Sequence, residues 1–147
     1  MTRTESTETF SVAREWSLKY TMVPGSVRLA RIHVRRHVTA MGWRGDVEDA
    51  VLIASELVSN AIAHARVPEE LLTVRAAVLD EGALLVDVSD PVCCFGAVGG
   101  EGEEAESGRG LVIARGLGAF VSWFLREGGG GKTVRAYVPV VPARRPR

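Results

Sequence analysis

The sequence predicts an α/β (α+β) two-layer sandwich, a mainly antiparallel sheet with helices on one face. Three observations predict it. The stretch Asp46 to Arg66, DVEDAVLIASELVSNAIAHAR, keeps a helical period with no Gly or Pro until Pro68. Five shorter stretches alternate apolar with polar residues, or run in β-branched and aromatic ones, between Gly, Pro and Asp breaks. Their order, β-α-α-β-β-loop-α-β-β, brings strands into neighbouring pairs. At 147 residues the chain is long enough for one core and too short for two.

Residues 1–13 begin Thr/Ser/Glu-rich and read as a loose tail. From Glu15 to Val23, Trp16, Leu18, Tyr20 and Met22 alternate with Ser17, Lys19 and Thr21, the pattern of a half-buried strand. Pro24-Gly25 breaks it, and Ser26 is placed to cap a helix. Val27, Leu29, Ala30, Ile32, Val34 and Val38 make that helix amphipathic, with its arginines, 28, 31, 35 and 36, pointing mostly outward. Gly42 to Gly45 turns the chain into the long helix, with Asp46 as its N-cap. Leu72 to Leu79 and Ala83 to Val88 form a hairpin around Asp80-Glu81-Gly82. From Val92 to Glu106 regular pattern is lost among glycines and glutamates, so 92–108 reads as a loop or lid. A short helix from Leu111 to Leu117 comes next, then strands Ala119 to Leu125 and Thr133 to Val141 joined by Gly128–Gly131. Residues 142–147 are a basic tail. Residues 14–141 are thus one domain.

Composition excludes several classes. An apolar fraction of 46% and a charged fraction of 24% are those of an ordinary globular protein. Zero formal net charge gives no bulk attraction to nucleic acid or membrane. No apolar run approaches the ~20 residues of a spanning helix. The polar start MTRTESTETF is unlike a secretory signal. Cys93 and Cys94 are adjacent, poor geometry for a disulfide and lacking the spacing of a zinc site. The expectation is a cytoplasmic protein.

Glu56, Asn60 and His64 succeed one another at four-residue steps along one side of the long helix. No Lys or Arg stands three or four positions from Glu56, so no intrahelical ion pair accounts for it. A carboxylate and a carboxamide one turn apart supply oxygen donors suited to a hard cation such as magnesium. Standing alone, the same pair is also what a solvated helix face looks like. Gly131-Lys132-Thr133 resembles the end of a P-loop, but Arg126 stands where that motif needs Gly, and a strand comes after it. Gly108-Arg109-Gly110 lacks the third glycine of a dinucleotide fingerprint, because Ile113 holds its place. Its two glycines would still let backbone N–H groups approach an anion at a helix start, or simply make a tight turn. Asp90, at a strand end before Pro91, is either a turn-former or an acceptor for an exocyclic amine.

Taken in order, ASELVSNAIAHA (Ala54 to Ala65), VDVSDP (Val86 to Pro91), ESGRGL (Glu106 to Leu111) and GGKTVRAYV (Gly130 to Val138) resemble the GHKL ATP-binding superfamily. Within it the likeness is closest to bacterial anti-sigma-factor serine/threonine kinases. The resemblance implies a GHKL ATPase-like (Bergerat) fold with ATP and Mg2+ as cofactors. It makes Glu56 the general base, Asn60 the magnesium ligand and Asp90 the acceptor for the adenine amine. Gly108, Arg109, Gly110 and Leu111 would close over the phosphates, and Thr133 would stand beside the adenine pocket. His64 and Lys132 are expected to be structural or peripheral. The implied partners are a sigma factor, held inactive, and an anti-anti-sigma protein, phosphorylated on Ser or Thr. A homodimer is implied too; direct nucleic-acid or membrane binding is not.

One departure bears on turnover. Pro91-Val92-Cys93-Cys94 succeeds Asp90 where many relatives carry glycines, and the loop beyond is acidic at Glu101, Glu103, Glu104 and Glu106. The alternative is therefore a non-catalytic module of the same fold that acts by partner binding. A bare ATPase is a third possibility.

Overall fold

A computed structural model describes residues 9–65, 69–91 and 114–140. Their elements are β1 (Val12–Thr21), α1 (Gly25–Ala40), α2 (Val47–Ala65), β2 (Leu71–Leu79), β3 (Leu84–Asp90), β4 (Phe120–Leu125) and β5 (Lys132–Val138). The strands form one sheet in the order β1-β2-β3-β5-β4, with every neighbouring pair antiparallel. This is the expected two-layer α+β sandwich. β1 starts at Val12, inside the segment expected to be a loose tail. Residues 114–116 are helical, at the end of the short helix expected from Leu111; residues 111–113, the loop 92–108 and the basic tail lie outside the described residues.

Strand alternation sorts the sheet into two faces. Leu72, Val74, Ala76 and Val78 of β2 meet Leu84, Val86 and Val88 of β3 on one face, under the two helices. α2 presses Ala50, Val51, Ile53, Ala54, Leu57 and Val58 onto that layer. Each such Leu, Ile or Val contributes ~1.5–3 kcal/mol by leaving water. Glu48 and Asp49 donate their backbone N–H groups to Asp46 Oδ1 at 2.9 and 3.2 Å, so the expected cap of α2 is present.

α1 differs from expectation in two ways. It begins at Gly25, two residues earlier than a Ser26 cap would allow, and the Ser26 hydroxyl lies 3.3 Å from that of Thr21. Leu29 and Ile32, expected in the apolar stripe, are exposed, because the buried row runs through Ala30, Val34 and Val38. Towards β1, His37 stacks on Trp16, and His33 Nδ1 lies 2.8 Å from the Tyr20 hydroxyl. Burial pushes the Tyr20 phenol up to about 12.

The opposite face of the sheet has no described helix over it. There Arg75 donates to Glu15 and Asp87, and Arg135 donates to both oxygens of Asp87 at 2.8 and 2.9 Å. The Arg135 guanidinium also sits 5.4 and 5.0 Å from the ring centres of Phe10 and Phe124.

Candidate functional site

The α2–β3 pair is fixed at one end. Just before α2, the Trp43 indole donates to the carbonyl of Gly82, just before β3, at 3.0 Å. Both elements therefore start together, and α2 lies over β3 on the helix face. From Val47 to Asn60 the helix rises about 20 Å. From Leu84 to Asp90 the strand covers about 20 Å as well. Asn60 and Asp90 thus lie at the same end of the layer, far from the Trp43 anchor.

Glu56 and Asn60 are half-buried, one turn apart on one flank of α2. Ile53, on the same flank, is fully buried, while Ala63 and His64 are exposed. The flank is therefore partly enclosed at Glu56 and Asn60 and opens to solvent a turn later. Among the described residues no group of three or more His, Cys, Asp and Glu could hold a metal. What α2 offers is one carboxylate and one carboxamide, the small protein share of a magnesium site completed by phosphates and water.

Asp90 shares the helix face with Val86 and Val88 and is 1% exposed. Opposite it in the register stands Lys132. The ammonium lies 3.0 Å from Oδ2 and 3.3 Å from Oδ1, and the lysine side chain is also buried. Lys132, expected to be structural or peripheral, is the ion-pair partner of Asp90.

Thr133 lies elsewhere. One residue along β5 it turns to the opposite face, pairs with Ser89, and shares a 2.7 Å hydrogen bond with the Ser89 hydroxyl. The structure does not bring its side chain to Asp90's face of the sheet. Gly108, Arg109, Gly110 and Leu111 lie outside the described residues.

The backbone at the strand end is also specified. Gly131 adopts φ +123°, and a Cβ there would stand 1.9 Å from the Asp90 carbonyl oxygen. Any side chain at this position would push β5 off β3. Sequence reasoning had one usable signal for Lys132: in a chain whose basic residues are otherwise arginine, it and Lys19 are the only lysines.

No described helix is long and apolar enough to cross a membrane. The model of the histidine kinase-like ATPase domain matches residues 21–138. No curated protein matches the chain. Among solved structures, the RsbU and RsbW domains of Rv1364c from Mycobacterium tuberculosis superpose with a TM-score of 0.61 at 21% identity, covering 92% of this chain and 35% of that one. This likeness shows the fold, and the chain spans about a third of that protein's length. A histidine kinase domain from the Erythrobacter litoralis EL346 blue-light activated histidine kinase aligns more loosely, with a TM-score of 0.45 at 19% identity over 79% of this chain and 60% of that one. Strand order, helix placement and a family match from before α1 to the end of β5 agree: this chain belongs to the histidine kinase-like ATPase domain family, with a GHKL-type fold.

Proposed function

We propose that the protein is an ATP- and magnesium-binding serine/threonine protein kinase of the anti-sigma-factor type. It would hold a sigma factor inactive and phosphorylate an anti-anti-sigma protein. What supports this reading is that Glu56 and Asn60 are half-buried one turn apart on α2, while Asp90 is buried at the end of β3 towards which α2 runs. Asp90 accepts the adenine amine. Asn60 supplies an oxygen to magnesium, which would neutralise charge on the phosphates. Glu56 takes the proton of the partner's Ser or Thr hydroxyl as that oxygen attacks the γ-phosphorus and the bond to the β-phosphate oxygen breaks, releasing ADP. Gly108, Arg109, Gly110 and Leu111 are proposed to face the phosphates.

Glu56→Gln tests it, because the substitution removes the base and keeps the shape. Phosphate transfer to a cognate partner should fall by about 100-fold or more, while the affinity for ATP, measured by calorimetry, changes little. Undiminished transfer by the variant would refute Glu56 as the base. Partner binding without transfer by either protein would favour the non-catalytic module, and phosphate release without an acceptor would favour the bare ATPase.

A further inference from the structure

The buried pair of Asp90 and Lys132 is more than the proposed reaction uses. Taking two charges out of water to close the end of a sheet gains little stability, since an apolar pair of similar volume often serves as well. A buried ion pair of this kind needs another reason. Its placement is built into the backbone: the two residues face each other across β3 and β5, and Gly131 lets the strands approach so closely that no other residue fits. The cation is a lysine in a chain that otherwise uses arginine, except at Lys19. Lysine presents a compact, swivelling ammonium, whereas arginine's planar fork locks both carboxylate oxygens.

We propose that Lys132 reads the nucleobase together with Asp90. The carboxylate accepts from an exocyclic amine, and the ammonium donates to the ring nitrogen beside that amine. Adenine carries an amine at C6 and an unprotonated N1 next to it, donor then acceptor, in the order that Asp90 and Lys132 complement. Guanine carries a carbonyl at C6 and N1–H, the reverse order, so the carboxylate would meet a carbonyl oxygen. The inference rests on Asp90 as base acceptor, the reading proposed above, and makes Lys132 a specificity-determining residue.

The test compares ATP with 1-deaza-ATP, in which N1 is replaced by C–H, by calorimetry on the full chain and on Lys132→Met. The wild type should bind ATP tighter by on the order of 10-fold, the scale of a hydrogen bond to a charged group. In Lys132→Met the two ligands should bind within about twofold of each other. If the methionine variant does not fold, Lys132→Gln, which puts a weaker neutral donor in place of the ammonium, should shrink the ratio below that of the wild type. Equal binding of the two ligands by the wild type overturns the role of Lys132 and leaves Asp90 standing. A ratio that persists in the variant overturns it too, because some other donor then reads N1. Absence of ATP binding by the wild type removes the nucleotide site itself, and this inference with it.

Discussion

Asp87 and Asp90 lie three residues apart on β3, both buried, each facing a cation from β5. They differ in which face they occupy and in what holds them. Asp87, on the face without described helices, is gripped by the Arg135 fork and by Arg75 at 3.1 Å. Asp90, under α2, meets a lysine ammonium at 3.0 and 3.3 Å. A fork holding both oxygens, with a second arginine behind it, fixes a carboxylate for structure. A point charge on a flexible stem can be shared with an incoming ligand. Two acids on one strand thus serve different ends because of the cation each was given.

The largest effect should come from Asp87→Asn, which takes from Arg135 and Arg75 the carboxylate they share, although Arg75 keeps Glu15. We expect a loss of about 3 kcal/mol in urea denaturation, with nucleotide affinity unchanged in the folded protein. A loss below about 1 kcal/mol would show that the arginines reach water unaided, and the contrast between the two acids would fail. Next comes the double variant Asp90→Asn/Lys132→Met, which removes both charges together. Its stability should stay within about 1 kcal/mol of wild type, while ATP affinity falls by on the order of 100-fold as charged contacts are lost. Retained affinity would place the base elsewhere.

The smallest effect concerns Tyr20, which pairs with Leu72 on the helix face, two strands from β3. Its phenol holds the proton to about 12 against 10.0 when exposed. The native state binds the extra proton in that window, so stability falls as pH rises from about 10 towards 12. Tyr20→Phe should flatten this alkaline fall in melting temperature, and should cost about 1 kcal/mol at neutral pH through the lost contact with His33. An unchanged alkaline slope would locate the titration elsewhere.

The elements were legible because their signals are local. The period of α2, the Asp46 cap and the Asp80–Gly82 turn each lie within a few residues, and each is present, whereas the alternation expected of β1 holds at Tyr20 and partly at Trp16 while Leu18 is exposed. What was illegible depends on partners distant in sequence. The antiparallel pairing of β3 with β5 joins residues more than forty positions apart, and its register decides which of Lys132 and Thr133 faces Asp90. A shift of one residue exchanges the faces, so a motif match to Thr133 carried no information about side. The Arg75–Asp87–Arg135 cluster left a fainter trace, single charges set inside apolar strands. For Leu29 and Ile32, helical spacing marked an apolar stripe but not its centre, which only packing against α2 and the sheet fixes.

The Trp43 anchor has a mechanical consequence. Its indole is bonded to Gly82 and lies so close over Gly45 that a Cβ there would enter the ring, at 2.3 Å. That corner of the layer is a locked hinge post. If α2 swings to admit a ligand, its far end travels furthest while the post stays still, so a slight tilt at the tryptophan becomes a wide opening where Asn60 stands.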